Sequence, residues 1–261
     1  MKQYKKFVSF GCSFTEGHHL ADDKVAWGDS LASKLDIPHI NCGEGGSSNE
    51  QIFNKIVSTI ENPNFSHSDI LVGIQLSEVM RFQLWCSRTK SYWSSHLEHF
   101  IHDWEDIDEW GMDKHIFKFA RKHKEAITSL YGETQEHVYN TVKGLVMITS
   151  YLKSKGIDFF VFEGMNSFLD KGLENDFPKF LEDGITKLES PPHFIPFVEE
   201  DFKKSLYNSK WFYTERGAMN YDMWEHPLYD GKENDEHPNP AFANDWSNSL
   251  IKWLESKWSM E

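Results

Sequence analysis

Residues 69–75, DILVGIQ, are apolar at nearly every position, and this run limits the fold more than any other part of the chain. A strand with one wet face alternates polar and apolar residues, whereas one apolar on both faces needs cover above and below it. Residues 6–10 (KFVSF) and 157–163 (IDFFVFE) read the same way, and residues 37–42 (IPHINC) make a further short strand. Helical patterns lie between them. Residues 25–35 have helical character, and residues 49–60 place Ile52, Phe53, Ile56, Val57 and Ile60 on one stripe, with Ser47 and Glu50 as a capping box. Residues 136–155 repeat the pattern with Val138, Val142, Leu145, Ile148 and Leu152, and Gly156 is the expected stop. A last helix opens at Asn239-Pro240 and carries Phe242, Trp246, Leu250, Trp253 and Leu254. Strand and helix in alternation predict an α/β fold, a three-layer α/β/α sandwich around a parallel sheet.

Two stretches break the alternation. Residues 85–131, rich in aromatic, histidine and acidic side chains, are expected to form extra helices, and residues 165–229 are mixed in character. Both read as insertions on a single domain, residues 1–261, because the sheet elements resume around them.

Charge removes several classes of partner. With 41 acidic against 27 basic residues the formal net charge is −14, which repels phosphate backbones and anionic lipid heads. Neither nucleic acid nor membrane is therefore expected as a partner. The three cysteines, Cys12, Cys42 and Cys86, are too few and scattered for a disulfide framework and read as reduced thiols. The first apolar stretch stops at Gly11, too short for a signal peptide, and nothing later approaches a membrane span, so a soluble, cytoplasmic protein is expected. His96, His99 and His102 recur beside Asp103 and Asp106, but without a recognisable metal-ligand spacing. Solvated histidines are the plainer reading; neither a metal nor a cofactor is expected.

In an open parallel sheet, ligands bind at the carboxyl ends of the strands, so the residues following each strand hold the candidates. After the first strand comes Gly11-Cys12-Ser13-Phe14-Thr15-Glu16-Gly17. Ser13 there is either an exposed hydroxyl at a strand-to-helix turn or merely a helix cap. After the second comes Asn41-Cys42-Gly43-Glu44-Gly45-Gly46-Ser47-Ser48-Asn49, whose glycines either let backbone N–H groups approach a ligand or form a tight turn. The third strand ends at Gln75, a carboxamide donor at the ligand edge or a group bonded to nearby backbone, followed by Ser77, Glu78 and Arg81. Just before the last helix stands Asn234-Asp235-Glu236-His237-Pro238-Asn239; if extended, Asp235 and His237 face the same way.

In this order the blocks resemble the SGNH hydrolase superfamily, the GDSL esterases and lipases. The first block, G-D-S-x-T/S-x-G, is matched by Gly11, Ser13, Thr15 and Gly17, with Cys12 in place of Asp. The second, N-x-G/S-x-x-G, is matched by Asn41, Gly43 and Gly46, and the His237 region stands for the last. The chain departs from the family twice. Gln75 replaces the Asn of G-x-N-D, and Asn234 occupies the acid position of D-x-x-H, which leaves Asp235 for the role with Asn234 in reserve. The resemblance spans residues 6–75 and 231–255 and implies a flavodoxin-like sandwich. It further implies hydrolysis of a carboxylic ester, an O-acetyl or other acyl group on a carbohydrate being the family-level substrate. Ser13 would be nucleophile, His237 base and Asp235 its orienting acid, with the Ser13 and Gly46 N–H groups and the Gln75 amide holding the oxyanion. The alternative is a degenerate domain that binds or supports without catalysis. The runs FGCSFTEG, GGSSN, Q-L-S and D-E-H-P-N are also similar to SGNH-type proteins of tailed phages and some bacteria, which adds the virion as a place of action.

Overall fold

The computed structural model describes residues 3–17, 25–78, 81–86, 91–96, 122, 134–164 and 240–258. Within them β1 (Lys6–Phe10), β2 (His39–Asn41), β3 (Ile70–Leu76) and β6 (Asp158–Glu163) form one sheet in the order β2-β1-β3-β6. Every pairing is parallel: Val8 lies opposite Ile40 on one side and Val72 on the other, and Val72 in turn opposite Phe159. As the continuous apolar run required, β3 is buried along its whole length.

Side-chain alternation sorts the core into two layers. Phe7, Leu71, Phe160 and Phe162 face α2 (Trp27–Leu35) and α5 (Pro240–Trp258), where Trp27, Leu31, Trp246, Leu250 and Trp253 complete one core. Val8, Phe10, Val72, Ile74, Phe159 and Val161 face α3 (Asn49–Ile60) and α4 (Thr134–Ser154), meeting Ile52, Ile56, Leu145 and Leu152. The expected three-layer sandwich is thus observed. Trp27 sits edge-on to Phe162 at 5.1 Å and to Trp246 at 5.3 Å, geometries aromatic rings prefer. The helix α5 is also tied polar-to-polar, Ser247 donating to the Trp27 carbonyl at 3.1 Å and Lys34 to Asn244 at 2.7 Å.

Several boundaries move. The cap of α3 is Ser48 rather than Ser47, its hydroxyl accepting from the Gln51 N–H at 3.3 Å, because Ser47 is used in a turn closed by its own N–H on the Glu44 carbonyl. Gly156, with φ 67°, ends α4 as expected. The start of the first insertion is corrected: instead of helix it holds an antiparallel hairpin, β4 (Arg81–Cys86) with β5 (Ser91–His96), Leu84 opposite Trp93 and Trp85 opposite Tyr92. Alternating aromatic residues favour a pleated ribbon over a helix there. His96 therefore lies on a strand and not on a helical stripe, while His99, His102, Asp103, Asp106 and residues 165–229 lie outside the described residues.

Candidate functional site

The strand order reverses at β1. The chain leaves β1 through α2 to reach β2 on one side, then returns through α3 to β3 on the other. A crevice opens where connections diverge this way, beyond the carboxyl ends of β1 and β3. Ser13 stands there as the first residue of α1 (Ser13–Glu16). It does not cap that helix; Cys12 holds the cap position, with extended backbone and no side-chain bond to the helix's own N–H groups. The turn is held by its backbone instead, the Thr15 and Glu16 N–H groups both donating to the Cys12 carbonyl at 3.0 Å. Ser13 keeps 7% of its surface exposed.

Beneath the turn runs a sealed polar chain. Trp27 Nε1 donates to Thr15 Oγ1 at 3.1 Å, the Thr15 hydroxyl donates to Gln75 Oε1, and Gln75 Nε2 reaches Cys12 Sγ at 3.7 Å. Thr15, Cys12 and Gln75 are all fully buried. Since the Trp27 N–H has only a donor to give, Thr15 must accept from it and spend its proton on Gln75. This fixes which way the carboxamide faces, and both its ends are engaged by side chains of the Ser13 turn rather than by neighbouring backbone.

The loop after β2 packs on the same turn. Asn41 donates to the Thr15 carbonyl at 2.7 Å and accepts from the Gly43 N–H at 2.9 Å, while the Glu44 N–H reaches the Gly11 carbonyl at 3.1 Å. Gly43 is obligatory: a Cβ there would fall 2.3 Å from the Glu16 nitrogen. Gly46 has φ 74° and open space around its Cα, whereas Gly45 borders Ser13, a Cβ on it falling 4.0 Å from the serine Cβ. Burial raises the Cys42 thiol above its ordinary value, which keeps it protonated at neutral pH.

At the end of β3, Asn49 acts as a side-chain strand. Its Oδ1 accepts from the Ser77 N–H at 2.7 Å and its Nδ2 donates to the Ser77 carbonyl at 3.0 Å, with Thr141 of α4 at 3.4 Å. One buried amide thus locks α3, α4 and the carboxyl edge of the sheet together.

A second serine has the full set of triad contacts. Ser9 Oγ lies 2.9 Å from His39 Nε2, and His39 Nδ1 lies 2.6 Å from Asp29 Oδ1. The aspartate fixes the tautomer, so Nε2 accepts from the serine hydroxyl. The hydrogen bond to His39 holds the Asp29 carboxyl below its ordinary value. Yet Ser9 has no exposed surface, and a Cβ on Gly28 would fall 2.9 Å from its Oγ, so no acyl group fits beside it. The relay braces edge strand β2 to β1 and α2.

Of the residues expected at the site, the structure brings Ser13, the Gly43–Gly46 loop and Gln75 to one turn at the carboxyl end of β1, Gln75 from below. Asn234, Asp235 and His237 lie outside the described residues. Among the described residues no group of three or more His, Cys, Asp or Glu is arranged to hold a metal, and no helix is long and apolar enough to cross a membrane. Sequence reasoning assigned no part to Trp27, Asn49 or the Ser9–His39–Asp29 relay; each depends on a contact between elements far apart in the chain.

Neither a protein-family model nor a curated protein matches the chain. Solved structures are similar over nearly its full length. These include a lipolytic protein of the G-D-S-L family from Veillonella parvula, 11% identical, covering 95% of this chain and 96% of its own, at TM-score 0.42. The psychrotrophic esterase EstA from a Pseudoalteromonas species is 13% identical, covers 96% and 99%, and has TM-score 0.47. AlinE4, an SGNH-hydrolase family esterase, is 15% identical, covers 97% and 98%, and has TM-score 0.42. The first and the third are described in the terms of the family that the sequence motifs resemble, and the second as an esterase.

Proposed function

We propose that this chain is a serine-dependent hydrolase of carboxylic esters. The observation that supports it most is the position of Ser13: first residue after the β1 turn, in the crevice where strand order reverses, beside the glycine loop. In this reading the Ser13 hydroxyl attacks the ester carbonyl while His237 takes its proton, Asp235 holding the imidazole. The negative oxygen of the tetrahedral intermediate is received by the backbone N–H groups of Ser13 and Gly46. Gln75, fully buried beneath the turn and bonded to Thr15 and Cys12, supports the turn in this reading rather than donating to that oxygen. Collapse expels the alcohol with the proton from His237, and water then releases the acid from Ser13 by the same steps in reverse.

The substrate we favour is a small acyl ester, an O-acetyl group on a carbohydrate among them. The engagement of Gln75 also supports a second reading, a binding module on the same fold, since a lost oxyanion donor typically lowers turnover about 10²–10³-fold. A fluorophosphonate probe separates the two. Covalent labelling of the wild type, lost in Ser13→Ala, is the result expected of the enzyme; an unlabelled wild type with no ester turnover favours the module.

A further inference from the structure

Gly43, Gly45 and Gly46 give the loop beside Ser13 a backbone with wide conformational freedom. Gly46 sits at φ 74°, and a Cβ built on it would meet no described atom within 4 Å, so packing on that side does not hold it. Its place has to be set by the chain on either side. Toward the amino end the loop is tied to β1, the Glu44 N–H donating to the Gly11 carbonyl at 3.1 Å. Toward the carboxyl end Ser47 and Ser48 are buried, and Ser48 caps α3. The next residue, Asn49, grips the end of β3: Oδ1 accepts from the Ser77 N–H at 2.7 Å and Nδ2 donates to the Ser77 carbonyl at 3.0 Å. Three residues of chain span at most about 11 Å, so this anchor governs where Gly46 can lie. The loop thus hangs between the carboxyl ends of β1 and β3, with one anchor on each.

We propose that Asn49 is a positioning residue for catalysis: by gripping both main-chain groups of Ser77, it holds the Gly46 N–H where the oxyanion forms. The inference rests on the reading of Ser13 as nucleophile and of the Gly46 N–H as a donor. Ser77 dictates which way the amide faces, since its N–H needs an acceptor and its carbonyl a donor. Asn49 and Ser77 are buried, and so is Thr141 of α4, which takes a further contact from Asn49 Nδ2 at 3.4 Å, so water has no ready access to stand in for the amide. Deleting an oxyanion donor typically lowers turnover about 10²–10³-fold, and misplacing a group by about 1 Å can cost about 10²-fold. Loss of the Asn49 grip, which shifts the donor without removing it, is expected to cost about 10- to 100-fold.

The test reads kcat and KM on p-nitrophenyl acetate and the inhibition constant of ethylboronic acid, whose boron takes the Ser13 oxygen as a fourth ligand and sets a hydroxyl where the oxyanion forms. Asn49→Ala is expected to lower kcat about 10- to 100-fold with KM within about two-fold, and to raise the boronate inhibition constant by a similar factor. A merely destabilised enzyme has fewer folded molecules but keeps that constant. Ile148→Val, a buried change about two helical turns beyond Thr141 on α4, is the structural control and is expected to leave both kcat and the constant alone. Asn49→Asp gives a second readout should the alanine variant not fold. Protonated, its carboxyl donates to and accepts from Ser77 as the amide does; ionised, it can only accept. Its kcat relative to wild type is therefore expected to rise as pH is lowered from about 8 to about 5. A folded Asn49→Ala enzyme with kcat unchanged, or with kcat lowered and the boronate constant unmoved, overturns the assignment while sparing the nucleophile. So does a kcat ratio for Asn49→Asp that stays flat with pH. Absence of Ser13-dependent turnover in the wild type overturns both.

Discussion

Ser9, in the carboxyl half of β1, and Ser13, just beyond the end of that strand, make an instructive pair. Ser9 has a histidine at 2.9 Å and an aspartate behind it at 2.6 Å, yet no surface. Four residues on, Ser13 keeps 7% of its surface and has a loop of glycines beside it, while its expected base comes from far along the chain. Triad contacts can therefore serve as a brace, and a nucleophile is defined as much by the room for a carbonyl as by its hydrogen bonds.

The largest test of that contrast is to remove each hydroxyl in turn. Ser13→Ala is expected to lower ester hydrolysis by at least about 10³-fold, and Ser9→Ala to leave it within about two-fold, measured as kcat on p-nitrophenyl acetate. The reverse order would make the buried relay the catalytic one. A smaller effect is expected below the turn. Thr15→Val keeps the branched shape but strands the Gln75 carbonyl and the Trp27 N–H, for a loss of about 1–3 kcal/mol in urea denaturation. With the turn loosened, kcat should fall about ten-fold at nearly constant KM, and Thr15→Ser should restore it. Equal losses in the serine and valine variants would mean that the hydroxyl does nothing there.

On the Ser9 side the expected effects are on stability. Ser9→Ala leaves His39 Nε2 without its donor and should cost about 1 kcal/mol in the same denaturation assay. The smallest effect concerns acid. Because His39 holds the Asp29 carboxyl below its ordinary value, the pair's contribution is complete above the usual aspartate value of about 3.9 and is lost as pH falls through the lowered one. Asp29→Asn should therefore lower the neutral plateau of a stability-versus-pH curve slightly and flatten its acid limb. An unchanged acid limb would show that the partly exposed pair is screened by water.

How far these regions could be read from sequence differs for a physical reason. The sheet and its covering helices are written in local periodicity, so residues 69–75, 49–60 and 157–163 predict their elements to within a residue or two. The place of Ser13, at the turn after a strand, was legible because it precedes glycine-rich turns in a recognisable order. The Trp27–Thr15–Gln75 chain and the Asn49 clamp were not, since a hydrogen bond between elements leaves no periodic trace in either. His39 likewise looked like a polar residue in a short strand until α2 brought Asp29 against it. From residue 85 on, the hairpin reads as helix in sequence because aromatic and histidine residues occur readily in both forms, and only cross-strand pairing decides.

The place of α5 also bears on how the molecule is made. Phe7, Leu71, Phe160 and Phe162 of the sheet find their cover in Trp246, Leu250 and Trp253, which leave the ribosome long after β1 and β3. Until those tryptophans arrive, α2 alone covers that side of the nascent sheet, and part of it stays apolar and exposed. His237 is translated immediately before that helix. On the proposed assignment of His237 as the base, synthesis order would keep the chain inactive until its hydrophobic interior can close, so that maturation and competence arrive together.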